Sequence, residues 1–302
     1  MPTFRSFAKL NLHLEVLDRR PDGFHELRTL FQTVDFGEEL EVEPTARGKV
    51  ELEVEGADLP ADERNLAFQA AAAYLQDWGG AGEGVRLRLR KRLPVGAGLG
   101  GGSANAGTVL RVLPALFARD PDPGWTATAA RRLGADVPFF LVGGLALGLG
   151  RGDEIVPLGD LAAADDELWL ALSGAPLSTA DVFAALGDRP AAEGRESPID
   201  RLRNGAAVPA LESLIGVNDL ERPAFALRPA LGALYTALVR SGARRVRMSG
   251  SGSTLFALYS GPAAARRAAD SLPPDIEWRR VRTLGRDAWC RACGFDSIEG
   301  GG

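Results

Sequence analysis

The 302-residue chain is poor in the residues that hold metals or cycle electrons: two cysteines, two histidines and two methionines. The cysteines stand together near the C-terminus, in Trp289-Cys290-Arg291-Ala292-Cys293. The spacing is that of a redox pair, but it does not open a βαβ unit as such pairs do. A structural zinc site needs four ligands, and the histidines, His13 and His25, are far away in sequence. Both thiols therefore read as reduced and incidental. Long apolar runs are missing as well. The charge-free stretch 137–150 is too short for a membrane helix and is interrupted by glycine. Residues 1–9 lack the apolar segment of an export signal, so the expectation is a cytoplasmic protein. Excess positive charge is also absent: 35 Lys and Arg face 40 Asp and Glu, for a net charge of −5. That balance suggests neither nucleic acid nor a membrane surface as partner.

What the chain does have is length for two domains and an ordinary globular composition, 45% hydrophobic and 25% charged. One basic stripe stands out, Arg86, Arg88 and Arg90 alternating with Leu87 and Leu89. A strand turns these arginines to one face, which reads as a solvated outer face rather than a docking stripe for an anionic partner.

From Ala8 to Val16 apolar and polar residues alternate strictly, the pattern of a half-buried strand. Its polar face, Lys9, Asn11, His13 and Glu15, is either solvent-exposed or lines a site. Pro21-Asp22-Gly23 is a tight turn. Strands are expected at 39–44, 49–56, 85–93 and 169–173, and a strand, glycine turn and strand over 246–259. Helices are expected at 65–78, from Ser103 onward with Pro114 kinking or shortening the helix, and at 126–133, 181–186, 231–240 and 262–272. A mobile loop is expected at 187–198. The mixture is α+β.

The strongest local feature is the run Pro94-Val95-Gly96-Ala97-Gly98-Leu99-Gly100-Gly101-Gly102-Ser103-Ala104. Glycine lets backbone N–H groups approach a ligand closely. The run ends where a helix begins, with Ser103 as its expected cap, and a helix N-terminus favours an anion. Phosphate is the natural guest. The run is not a Walker A loop, because no Gly-Lys-Ser or Gly-Lys-Thr closes it. Gly96, Gly98 and Gly101 have the dinucleotide-binding spacing, but the preceding strand alternates Arg and Leu where that fold needs a buried apolar strand. A second glycine loop, Ser249-Gly250-Ser251-Gly252-Ser253, makes a nucleotide clamp the better reading.

Three blocks in order, Ala8-Lys9-Leu10-Asn11-Leu12, the 94–106 loop and Met248–Ser253, resemble the GHMP kinases. Arg20-Pro21-Asp22-Gly23-Phe24-His25-Glu26-Leu27 and Leu133-Gly134-Ala135-Asp136-Val137-Pro138 resemble the branch that acts on a cytidine-diphosphate-linked methylerythritol in non-mevalonate isoprenoid synthesis. The resemblance implies an N-terminal domain like ribosomal protein S5 domain 2, expected over 1–155, and a ferredoxin-like C-terminal domain over 156–296, with a disordered tail at 297–302. It implies ATP as phosphoryl donor, with Mg²⁺, bound by residues 94–104, Asn65, Gly250, Ser251 and Gly252. Lys9 and Asp136 match the catalytic pair. Asn11, Phe24, His25, Thr179 and Phe183 match substrate-contacting positions, with Phe24 standing where tyrosine is common. His13 departs from the usual apolar residue and is expected to be a satisfied structural histidine. The alternatives are a homoserine- or mevalonate-type kinase, or a nucleotide-binding module without catalysis.

Overall fold

The computed structural model describes residues 1–163, 166–187 and 197–295. Most of the loop expected at 187–198 and the whole tail expected at 297–302 lie outside the described residues.

Two long antiparallel strands open the fold, β1 (Thr3–Arg19) and β2 (His25–Thr45). The turn between them is closed by Gly23 in a left-handed conformation, its N–H donating to the Arg20 carbonyl at 3.1 Å. β3 (Val50–Glu55), α1 (Leu66–Trp78), β4 (Gly84–Arg90), α2 (Gly101–Leu116), α3 (Pro123–Leu133), a 3₁₀ turn at Val137–Leu141, β5 (Leu145–Leu149) and β6 (Glu154–Pro157) follow. The sheet runs β3-β4-β2-β5-β6, with β1 paired along β2. Leu40, Val42, Leu87 and Leu89 point from it into a core shared with Ala70, Ala71 and Tyr74 of α1 and Val109, Leu110 and Leu113 of α2.

The arginine stripe of β4 is more than a solvated face. Arg86, Arg88 and Arg90 lie between the acidic faces of β2 and β3, pairing with Glu39, Glu41, Glu43, Glu51, Glu53 and Glu55 at 3.0–3.8 Å. Opposite charges across neighbouring strands are favourable, though exposed pairs contribute little each. The stripe is neutralised by its own sheet.

The second half comprises β7 (Glu167–Leu172), α4 (Thr179–Leu186), α5 (Pro198–Arg203), α6 (Leu211–Leu214), α7 (Glu221–Leu227), α8 (Pro229–Arg240), β8 (Arg245–Met248), β9 (Leu255–Tyr259), α9 (Pro262–Ala269), β10 (Glu277–Val281) and α10 (Arg286–Cys293). Its antiparallel sheet is ordered β10-β7-β9-β8. Numbered within this half, that is fourth, first, third, second, the ferredoxin-like order. The fold is α+β, as expected.

Two boundaries differ from expectation. β6 spans Glu154–Pro157 and pairs with β5, so the first sheet continues past residue 155. The chain's end also returns to the first half: Trp289, Cys293 and Phe295 are buried in its core. A tryptophan offers too much apolar surface to leave in water, and the first sheet's helices supply the pocket. Among the described residues neither cysteine forms a disulfide. Burial pushes the Cys293 thiol well above its ordinary range, which keeps it inert.

Candidate active site

β1 is buried on both faces, a departure from the half-buried strand expected. Lys9, Asn11, His13 and Glu15 are as hidden as the leucines opposite them. The second half and the two glycine loops cover the polar face. The β1–β2 register shifts between Phe7 and Lys9 and again between Asn11 and His13. Such bulges bracket the two side chains and re-aim them.

The first glycine loop is tied down by its carbonyls. Leu99 O accepts from the Lys9 N–H (3.0 Å), Ala97 O from the Thr254 N–H (3.1 Å) and Gly98 O from the Ser249 hydroxyl (2.8 Å). Gly98 has φ +75° and its backbone packs so tightly that a Cβ would lie 2.0 Å from Ser249 O. No side chain larger than hydrogen fits where the two loops meet. α2 begins at Gly101, capped by Gly100 at φ +72° with no side-chain hydrogen bond. Ser103 is thus not the cap that was expected, because the left-handed turn at Gly100 caps the helix three residues earlier. The first-turn N–H groups of α2 are left for an anion.

A cleft of about 950 Å³ opens in front of this loop, between the halves. Residues 94–103, Asn65, Gly250 and Ser251 line it, as do Lys9, Asn11, Asp136, Phe24, His25, Thr179 and Phe183. Two expected ligand residues are not on its wall. Ala104 is buried in a small core with Phe31, Phe139 and Phe140. Gly252 turns inward, where a Cβ would meet the Met248 sulfur. Asn65 reaches the wall but spends its amide on structure: Oδ1 caps α1 through the Ala67 N–H and Nδ2 donates to Pro60 O, both at 3.0 Å.

At the cleft floor Lys9 Nζ donates to Asn11 Oδ1 (2.6 Å) and lies 3.4 Å from Asp136 Oδ2. Lys9 is 3% exposed, whereas the Asp136 side chain is 35% exposed and open to the cleft. Asp136 precedes the 3₁₀ turn yet makes no capping bond to it. Asn11 Nδ2 donates to Thr29 Oγ1 (2.8 Å), which fixes the amide that holds Lys9. At the other end His25 and Phe183 stack on each other. Phe24 is more than half exposed, with the Arg151 guanidinium 5.1 Å from its ring centre. Thr179 Oγ1 and Ser251 Oγ are 2.8 Å apart, joining α4 to the second glycine loop.

His13 stands apart from the cleft. Its Nδ1 accepts from the Val217 N–H (3.2 Å), which assigns the ring proton to Nε2, facing Glu15 Oε1 at 3.1 Å and Ser197 Oγ at 3.3 Å. Burial pushes the Glu15 carboxyl upward, but His13 and Arg28 outweigh it and hold it below the usual range. His13 is the structural histidine expected.

Sequence reasoning missed Lys91, which lines the cleft while its ammonium is buried against Glu38 Oε1 at 2.7 Å. Asn105 Nδ2 donates to the same oxygen at 2.8 Å, linking the pair to α2. A signal existed. Of the 35 lysines and arginines only Lys9, Lys49 and Lys91 are lysines, and two of the three line the cleft.

Fold and cleft together define a two-domain small-molecule kinase. The family models for the GHMP kinases N terminal domain and the GHMP kinases C terminal match residues 65–144 and 201–275. A 4-diphosphocytidyl-2-C-methyl-D-erythritol kinase of Deinococcus radiodurans is 42% identical, covering 88% of this chain and 86% of the relative. One of Thermus thermophilus is also 42% identical, over 88% of this chain and 90% of its own length. A crystal structure of 4-(cytidine 5'-diphospho)-2C-methyl-D-erythritol kinase superposes with a TM-score of 0.73 at 39% identity, covering 94% and 99% of the two chains. The chain belongs to the 4-diphosphocytidyl-2-C-methyl-D-erythritol kinase family of the GHMP kinases. Homoserine kinase from Cytophaga hutchinsonii, at 19% identity and a TM-score of 0.68, shares the fold. Among the described residues no helix is long and apolar enough to cross a membrane.

Proposed function

We propose that this chain transfers the γ-phosphoryl group of ATP to the 2-hydroxyl of 4-diphosphocytidyl-2-C-methyl-D-erythritol, a step toward isoprenoid precursors by the non-mevalonate route. The observation that carries the mechanism is the Lys9–Asp136 contact at 3.4 Å, in front of a helix N-terminus that has no side-chain cap.

The triphosphate lies along the 96–103 loop, where backbone N–H groups at the start of α2 meet its charge. The acceptor lies toward His25 and Phe183, its cytosine against the stacked rings. Its hydroxyl oxygen attacks the γ-phosphorus, the bond from that phosphorus to the bridging oxygen breaks, and ADP leaves with the electron pair. The hydroxyl proton passes to Asp136, whose carboxylate is open to the cleft and not engaged in capping. Lys9, held by Asn11, pairs with that carboxylate and offsets charge on the moving phosphoryl group.

Mg²⁺ with ATP is part of this reading. Among the described residues no three carboxylate, imidazole or thiolate groups gather to cage a bare ion. The cleft fits an ion that arrives on the triphosphate and keeps most of its waters, and Asp136 and Ser103, among the oxygen-bearing side chains on its wall, would hold it. When bound, it neutralises charge on the β- and γ-phosphates. We place the division between the domains after Pro157, with α10 assigned to the first.

A coupled ADP-release assay with Mg·ATP tests the function, comparing the cytidyl acceptor with homoserine and mevalonate. Turnover on the cytidyl acceptor alone is expected. Turnover on another acceptor would keep the kinase chemistry and overturn the substrate.

A further inference from the structure

The second glycine loop is held from behind by a side chain outside the cleft wall. Asn218 is buried, and its Nδ2 donates to Met248 O at 2.7 Å and to Gly250 O at 2.8 Å. Its Oδ1 accepts from the Leu220 N–H at 2.9 Å, so every polar atom of the amide is used and its orientation is fixed. The segment around Asn218 is itself pinned to β1. Leu14 N donates to Val217 O (2.8 Å) and Asp219 N donates to Leu14 O (3.0 Å). One amide therefore registers the loop against the strand that carries Lys9 and Asn11. Glu221, in the same segment, accepts from the Met248 N–H at 2.9 Å.

The consequence follows from the planarity of the peptide unit. In a trans peptide the C=O and the following N–H point in opposite directions. Met248 O points to Asn218, and the next N–H, of Ser249, points away, to Thr254 O at 3.0 Å. Gly250 O also points to Asn218, so the Ser251 N–H points away as well. Among the described residues it donates to no protein acceptor. Gly250 and Ser251 line the cleft and Asn218 does not. A Cβ at Gly250 would stand 3.3 Å from Lys9 Nζ, so the loop lies against the reacting centre.

We propose that Asn218 is a positioning residue for phosphoryl transfer, turning the Ser251 N–H into the cleft as a donor to the triphosphate beside Lys9. The inference rests on the kinase reading above and adds to it a group that never touches substrate. Without the amide, the peptide joining Gly250 and Ser251 is free to rotate, since Gly250 has no side chain to resist it.

The test uses the full chain with Asn218→Ala and the isosteric Asn218→Asp, which keeps the Leu220 acceptor and loses the donor. In hydrogen exchange, Mg·AMP-PNP should slow exchange at Ser251 in the unaltered protein by about tenfold or more, and by less than about threefold in both variants. In turnover on the cytidyl acceptor, kcat per nucleotide-binding site should fall about 100-fold, the scale for losing one preorganised donor. Activity of Asn218→Asp relative to Asn218→Ala should rise as pH falls from about 8 to about 6, because a protonated carboxyl regains one donor. A residue that merely supports the fold would lower Tm and leave kcat per site unchanged, and that result overturns the proposal. So does unslowed exchange at Ser251 in the unaltered protein, a readout that needs no variant to fold. If the unaltered protein turns over none of the acceptors, the substrate reading fails by itself, and the exchange result still decides this one.

Discussion

The rings of His25 and Phe183 stack with centroids 5.1 Å apart and planes 23° from parallel. One ring begins β2 and the other sits on α4, so the contact bridges the two halves at one end of the cleft. A pair of flat faces there offers a stacking platform to a base. Stacking of a base on an aromatic ring is worth roughly 1–3 kcal/mol. His25→Ala and Phe183→Ala should each raise KM for the cytidyl acceptor by about tenfold, with KM for ATP unchanged. Steady-state kinetics with each substrate varied in turn will check the split; an equal rise in both would place the rings elsewhere in the reaction.

Lys9 and Asp136 should fail together. Asp136→Asn removes the proton acceptor, a change worth about 10²–10⁴ in rate. Lys9→Ala removes the cation that pairs with this carboxylate and offsets charge on the moving phosphoryl group, and should cost a similar factor. Because the two act as a unit, the double variant should be little slower than either single one. Additive losses in an ADP-release assay would separate their roles.

Gly98 is where the two glycine loops touch. Gly98→Ala forces a Cβ against Ser249 O in a backbone region that costs an L-residue roughly 1–2 kcal/mol even in open space. The loops must part, and ATP affinity should drop by about tenfold or more. Calorimetric titration with a non-hydrolysable ATP analogue measures it, and an unchanged affinity would show that the loop contact is dispensable.

Glu221 gives the fold a pH dependence. Burial pushes its carboxyl up to about 7, against opposing help from Arg247 and the Met248 N–H, while Asp219 adds to the rise. The native state therefore holds a proton that the unfolded chain releases from the ordinary carboxyl value of 4.5 upward. The stability this group contributes is complete below that value and is lost as pH rises through about 7. Glu221→Gln keeps an acceptor for Met248 and removes the titration. Its stability relative to the unaltered protein should increase by about 2 kcal/mol between about pH 5 and pH 8. Urea denaturation at the two pH values measures this; a flat difference would refute it.

Trp289 ties the chain's end to the first half. It stacks edge-on with Phe295 at 5.3 Å and has the Arg111 guanidinium 5.2 Å from its ring. Trp289→Ala should cost about 3–5 kcal/mol. Calorimetry should show Tm falling by roughly 10 °C. A shift under a few degrees would mean that α10 is peripheral.

Much of this was legible along the chain. The alternation from Ala8 to Val16, the glycine run before α2 and the strand–turn–strand around Gly250 are local patterns, each imposed by backbone geometry that neighbouring residues decide. The start of α2 was misplaced because a serine is the commoner cap, whereas here a left-handed glycine performs the turn. The division expected after residue 155 falls inside β6, whose four residues carry too little periodicity to read. Lys91 looked like the tail of a basic strand, since its burial depends on Glu38, which stands 53 residues from Lys91 and 67 from Asn105, the other donor to the same carboxylate. Asn218 carried no pattern at all.

Residue order alone determined the two glycine loops, the helix that follows the first, the strands that flank the second and the alternation that puts Lys9 and Asn11 on one face of a strand, because these follow from φ/ψ preference and periodicity within a few residues. Only the tertiary structure decided that this face is buried, that Asp136 comes to 3.4 Å from Lys9, and that Asn218 braces the second loop. Those contacts join residues 127 and 32 positions apart, set by how distant segments pack together within each half, and no local preference encodes such a distance.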